Sequence, residues 1–454
     1  MARFGNFQKM NSEVICSRRE VLHPSCAWKG RSTRSSHRSG PLPAHMEGYL
    51  AKGPRVVCVG ESLFDLISDQ PGLPRDQVTS WSPYAGGAPC NVATALAKLG
   101  VSVSFLTALG IDERGDQIMN ILKESGVQTE AVQRIEKATR DVYVIRDLKG
   151  DREFAGFGLP TDTYADCFLD ASQVPVADIE GCDVLVTGTL GLAYPSTRAA
   201  MERAVQTAQS SPTCKVMVDV NWRPVFWSDT EQATRDVILK YLSEADLIKM
   251  SDADLIWLLD IDLTTALINP CVVAKCFPKA AGVLITAGAE GAAYCFKSSH
   301  CTASSTSPQR PPAEGPSQAS SAASSAASAS LPRLEVSAMD KPDQIREVSY
   351  NVDGPIISQE ESYFTGFVPT HKVHTVDTTG AGDAFTAGFV YHLLRANGLE
   401  ALRVDAKKLK EAVVFAAACG ALTTTKKGAI EGQPNLSEAQ GLYEISKNSW
   451  YNFW

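Results

Sequence analysis

The chain has 454 residues, 44% of them hydrophobic, enough for a large core, and carries a formal net charge of -8. That acidity argues against nucleic acid or an anionic membrane as the main partner, but not against a nucleotide, whose site is local. The 12 cysteines contain no C-x-x-C pair, which argues against a zinc ribbon or thioredoxin-like site and for free thiols in a reducing compartment.

Residues 1–50 are basic and Ser-rich: Arg3, Lys9, Arg18, Arg19, Lys29, Arg31, Arg34 and Arg38 outnumber Glu13, Glu20 and Glu47. The composition suits an organellar transit peptide, or else a disordered extension. The expected location is accordingly cytoplasmic or plastid, and no apolar run approaches the roughly 18 residues that span a membrane. From Arg55 onward short β-branched runs alternate with helical patterns. Residues 55–59 read as a strand, 91–99 as a helix with Val92, Ala95, Leu96 and Leu99 at helical spacing, and 101–108 as a strand. Residues 70–84 are turn-rich and 141–157 read as a hairpin around Gly150 and Asp151; both are expected to form a small β flap over the site. Strands at 183–187, 215–220, 246–249 and 282–286 alternate with helices at 195–208, 230–242 and 252–259. This alternation predicts an α/β fold, a mainly parallel sheet with helices on both faces. Residues 298–333 are Ser/Ala/Pro-rich and read as a low-complexity insert within one domain spanning 51–440, with 441–454 as a tail.

The segment Val376-Asp377-Thr378-Thr379-Gly380-Ala381-Gly382-Asp383 follows a strand-like run at 373–376. It precedes Phe385, Phe389 and Leu393, four residues apart as on one helix face. A glycine turn thus opens a helix, where unpaired N–H groups and the helix dipole favour an anion. Asp383 at its mouth can take a proton from an attacking hydroxyl. Two further segments join it: Gly60–Asp65 after the first strand, and Tyr84–Asn91 with Gly86 and Gly87 before the first helix. In open α/β sheets ligands bind at the carboxyl ends of strands, where Asp65 and Asn91 can grip hydroxyls. There is no G-x-x-x-x-G-K-[ST] segment, so this is not a P-loop enzyme.

Together these motifs resemble the PfkB carbohydrate kinases of the ribokinase-like fold, from about Arg55 to Asn435 apart from the insert. Within that family Asp219-Val220-Asn221-Trp222-Arg223-Pro224 and Thr423–Ile430 are most similar to fructokinases, as are Ala88 and Pro89 where ribokinases carry Lys. The resemblance implies ATP-dependent phosphorylation of a sugar hydroxyl, fructose to fructose 6-phosphate. Asp383 would be the base, needing no raised pKa in a loose transition state. Gly380, Ala381 and Gly382 would form the anion hole, with Arg223 beside the phosphate or the sugar. Thr286, Gly288 and Gly291 match a nucleotide-binding turn, joined by Lys249 and by Lys426, which reads equally well as solvated surface. Asp65, Gly87, Asn91 and Asn221 match sugar-binding positions.

Magnesium is implied near Asp254, in Ser251-Asp252-Ala253-Asp254 where relatives have Asn-x-x-Glu. A potassium ion is implied at Asp377, Thr379 and Gly428. Ala417 stands where an adenine-side Asn is common. Expected partners are the sugar and ATP, with neither nucleic acid nor membrane; a homodimer stays open. Two rival readings remain. One is a kinase for a 2-keto-3-deoxy sugar acid, ribose or a nucleoside. The other is a non-catalytic organellar scaffold, disfavoured by the intact Asp383, Gly380 and Gly382.

Overall fold

The computed structural model describes residues 53–148, 152–299, 346–350 and 361–451. The expected transit peptide and nearly all of the Ser/Ala-rich insert lie outside the described residues.

In chain order, β1 (Val56–Val59), β2 (Leu63–Ser68) and β3 (Trp81–Gly86) precede α1 (Ala88–Lys98), β4 (Val103–Gly110) and α2 (Glu113–Ser125). Next come β5 (Val132–Ile135), β6 (Arg140–Arg146), β7 (Arg152–Phe157), β8 (Val184–Thr187), α3 (Pro195–Ser210), β9 (Lys215–Asp219) and α4 (Glu231–Leu242). The order continues β10 (Leu247–Ser251), α5 (Asp252–Leu259), β11 (Gly282–Thr286), β12 (Gly291–Lys297), β13 (Arg346–Tyr350) and β14 (Glu361–Pro369). Helices α6 (Ala381–Arg395), α7 (Ala406–Thr423) and α8 (Leu436–Tyr451) close it.

The large sheet runs β13-β14-β12-β11-β10-β9-β8-β1-β4-β5. It is parallel from β11 to β5 and antiparallel in its β11-β12-β14-β13 edge. Its inner strands read as near-continuous apolar runs because both faces are covered. Strand alternation splits β1 between the two cores. Val56 and Cys58 face a core with Val92, Leu96, Ile118, Leu122, Phe389 and Phe415 of α1, α2, α6 and α7. Val57 and Val59 face Met201, Ala204, Ile238, Leu242 and Leu255 of α3, α4 and α5. Helices α6 and α7 approach closely because Gly388 lacks a Cβ: one there would lie 2.9 Å from Ala416 Cα. Among the described residues the cysteines are free, and all but Cys276 are buried. No described helix is long and apolar enough to cross a membrane.

The flap is a separate four-stranded sheet, β3-β2-β6-β7. It takes in the expected hairpin and also β2, where the sequence reading had only the segment Gly60–Asp65 following the first strand. At its root, Arg140 is fully buried and pairs with Asp166 at 2.7 Å. Its guanidinium lies 4.6 to 5.4 Å from the rings of Phe157, Tyr164, Tyr194 and Phe226. Residues 373–376, expected as a strand, are coil instead. The β12 ladder ends where Gly291 pairs with Pro369, so no partner strand remains beyond it. Residues 441–451, expected within a tail, continue α8, with Tyr443 and Ser446 buried.

Candidate active site

A cleft of 1210 Å3 opens at the carboxyl ends of the parallel strands, between them and the flap. Its floor is built by two glycine turns from opposite ends of the chain. Gly87 caps α1 with φ 99°, and a Cβ there would lie 2.6 Å from the Glu61 carbonyl oxygen, so only glycine allows this approach to the β1–β2 turn. Pro89 follows in the first turn of the helix, where a missing N–H costs nothing. Asn91 is thereby buried at the base of the cleft. Its Nδ2 donates to Asp383 Oδ2 at 2.7 Å, across 292 residues of sequence. Its Oδ1 is buried with no hydrogen-bond partner.

Asp383 lies in the first turn of α6, whose cap Gly380 is left-handed with φ 78°. First-turn N–H groups have no acceptor within a helix, so those of Gly382 and Asp383 face the cleft side as donors. Burial pushes the Asp383 carboxyl up to about 6, and Asp219 adds to this, while Asn91, Lys249 and Arg223 pull it back. Lys249, near the end of β10, donates to both oxygens of Asp219 at 3.0 and 3.1 Å. Burial disfavours its charge, yet the carboxylates of Asp219, Asp383 and Asp254 hold its pKa above the usual lysine value. A Cβ on Gly382 would lie 2.9 Å from Lys249 Nζ, so glycine keeps the ammonium against the turn. Thr386 Oγ1 completes the set, donating to Asp219 at 3.2 Å.

Farther along the cleft lie Thr286, Gly288 and Gly291 at the β11–β12 turn, facing Ala417 and Thr424. Asn221, left-handed with φ 40°, and Arg223 line the opposite side. Arg223 is exposed, and its hydrogen bond among the described residues goes to the Trp222 carbonyl at 2.7 Å. Asp254 is buried as the third residue of a capping box: its carboxylate accepts from the Ser251 N–H and hydroxyl and from the Trp222 N–H. Among the described residues no group of three or more His, Cys, Asp or Glu side chains is arranged to hold a metal ion.

Three expected residues, Lys426, Gly428 and Asp377, are not brought to the cleft wall. Lys426 sits outside it, 3.6 Å from Glu438. Gly428 lies behind the glycine turn and donates its N–H to Asp377 Oδ2 at 2.9 Å. Asp377 also accepts from the Thr379 N–H and hydroxyl. Burial alone would raise its pKa; these donors and Arg152 outweigh it and lower it.

Sequence reasoning missed two side chains, Glu61 and Arg152, and the surroundings of two that it named, Asp65 and Lys249. Glu61, inside the Gly60–Asp65 segment, is buried, accepts from the Ala88 N–H, and is pushed by burial up to about 7. Asp65 on β2 is likewise raised by burial to about 6, opposed by Arg152 and reinforced by Asp377. Lys249 was expected as a nucleotide contact, but its tie to Asp219 was not. Arg152, next to the noted hairpin residue Asp151, reaches from the flap to Asp377.

The pfkB family carbohydrate kinase model matches residues 54–310 and 344–436. The chain is 30% identical over 394 residues to probable fructokinase-5 of Arabidopsis thaliana, covering 87% of this chain and 98% of that one. It is 29% identical over 391 residues to probable fructokinase-6, chloroplastic, of the same plant, covering 86% and 82%. Among solved structures, fructokinase with bound ATP from Xylella fastidiosa superposes with a TM-score of 0.63 at 25% identity, covering 86% of this chain and 98% of that one.

Proposed function

The chain belongs to the pfkB family of carbohydrate kinases, and we propose that it transfers the γ-phosphoryl group of ATP to fructose, giving fructose 6-phosphate. The observation that carries this reading is the Asn91–Asp383 pair. One amide holds the base carboxylate through Nδ2 and keeps a buried, unpartnered Oδ1 beside it. A buried acceptor without a partner is costly, and a sugar hydroxyl donor relieves it. Asp383 then takes the proton of the attacking hydroxyl. Its pKa, raised to about 6, makes it more basic and still leaves it mostly ionised at neutral pH.

The first-turn amides of α6 and the Lys249 ammonium stabilise the charge on the moving phosphoryl group, work that is chiefly electrostatic in this chemistry. Asp219 fixes the Lys249 head in place. Thr286, Gly288 and Gly291 receive the nucleotide. A magnesium ion neutralises phosphate charge in such a reaction. Asp254 lines the cleft, but its carboxylate is taken up by the Ser251 and Trp222 donors, so such an ion would be held mainly by the phosphates and water. The basic, Ser-rich residues 1–50 and the chloroplastic relative support a plastid location.

A competition assay with ATP and equimolar fructose, ribose, glucose and adenosine tests the substrate. Fructose should be consumed first. A second reading rests on Arg223: an exposed guanidinium lining the cleft without a carboxylate partner suits a 2-keto-3-deoxy sugar acid. Preferential consumption of the acid, added to the same panel, would replace fructose and leave the sugar kinase standing.

A further inference from the structure

The two ends of the flap are held differently. Its root is anchored by the buried Arg140–Asp166 pair. Its far end, where β7 begins, is held by Arg152. Arg152 Nη2 donates to Asp377 Oδ2 at 2.6 Å and Nη1 donates to Thr379 Oγ1, so one guanidinium spans from the flap to the turn that opens α6. The Asp377 carboxylate is already ringed by donors: the Gly428 N–H and Arg152 at Oδ2, and the Thr379 N–H and hydroxyl at Oδ1. A potassium ion needs oxygens turned toward it. Here Gly428 turns its N–H to the carboxylate and its carbonyl accepts from the Gly432 N–H at 3.0 Å, while Thr379 gives Asp377 both its N–H and its O–H, so these groups are engaged with one another rather than turned toward the cation that the family resemblance assigns to them.

Arg152 also lies between two carboxylates. Asp65 on β2 belongs to the flap and Asp377 to the glycine turn, and Arg152 attracts both while they repel one another. Removing the guanidinium leaves the repulsion between the Asp65 and Asp377 carboxylates without the charge that offsets it. A charge-assisted pair shared by two acceptors, with Asp377 5% exposed, is stronger and less screened than an ordinary surface pair.

We propose that Arg152 is a positioning residue: it latches the flap onto the glycine turn, and its guanidinium supplies the positive charge at Asp377 in place of a monovalent cation. Closing the flap therefore also sets the turn that carries the anion-binding amides. Only the kinetic arm of the test rests on the sugar-kinase reading.

The test uses the full chain as wild type, Arg152→Ala and Arg152→Lys. Hydrogen–deuterium exchange of β2, β3, β6 and β7 is followed without ligand, in potassium chloride and in choline chloride. Opening of the flap should be about tenfold more frequent in Arg152→Ala, the loss expected for a hydrogen bond to a charged group. Arg152→Lys should fall between it and the wild type. Wild-type turnover with fructose should be the same in both salts, and Arg152→Ala should raise the fructose KM by roughly tenfold or more through misplacement of the site. Equal flap exchange in all three proteins overturns the latch. A wild type that needs potassium for turnover overturns the replacement of the cation. Faster flap exchange in Arg152→Ala, with no turnover of fructose by any of the proteins, upholds the latch and sinks the substrate reading instead.

Discussion

Asp383 carries the sharpest expectations at the scale of single residues. Asp383→Asn keeps the shape and the Asn91 contact but removes the base, so kcat should fall by roughly 10²–10⁴. ATP binding, measured by calorimetry, should be nearly unchanged, since in the proposed mechanism the carboxylate acts on the sugar hydroxyl. With its pKa raised to about 6, the wild-type kcat/KM should rise as pH increases through about 6 and then level. Asn at 383 should abolish that limb; a residual activity with the same limb would assign the base elsewhere, Glu61 being the next candidate at about 7. Both carboxyls owe their shifts chiefly to burial, which no linear motif announces.

Among elements, the α6 turn and the flap root are the places where one atom matters. Gly382→Ala sets a Cβ 2.9 Å from Lys249 Nζ and must push the ammonium off the turn. We expect kcat to fall by about 10²-fold, the usual cost of disturbing one preorganised charge-stabilising group, with the melting temperature almost unchanged. At the flap root, Asp166→Ala strands the Arg140 charge among aromatic rings. Breaking a buried pair from one side costs about 3–5 kcal/mol, so urea unfolding should shift strongly while an exposed change such as Lys123→Ala should not register. If Asp166→Ala were as stable as wild type, the aromatic cage and not the ion pair would be holding Arg140.

Across the molecule, the cleft stores carboxylates at a cost to the fold. Asp65, Glu61 and Asp383 all have pKa values raised above their ordinary ones, to about 6, 7 and 6. Each holds its proton more tightly folded than unfolded. Its contribution to stability is therefore full below about pH 4, the unfolded range, and lost as pH rises through about 6 to 7. The melting temperature should fall across this window, and Asp383→Asn should flatten the fall. An equal slope in that variant would mean that the carboxylate is solvated after all. The activity limb runs the opposite way, so the protein is most active where these groups stabilise it least.

The sequence alone carried the α/β class, the chain order of strands and helices, the two glycine turns and the position of the proposed base. Each of these rests on local rules: apolar periodicity, the need for glycine at Gly87 and Gly380, and the anion-binding character of a helix start. It also indicated a flap from 141–157, though β2 was hidden because Leu63–Ser68 follows β1 after only three residues and shares its apolar character. What tertiary structure decided was pairing. Asn91 meets Asp383, Lys249 meets Asp219, Arg152 meets Asp377 and Arg140 meets Asp166, at separations of up to 292 residues. The coil at 373–376 belongs here too, because a β-prone run becomes a strand only where a neighbour offers a ladder, and among the described residues none lies beyond Gly291. Propensity and capping act over a few residues, whereas charge pairing and burial depend on what the fold brings within a few ångströms, and that is not written in spacing along the chain.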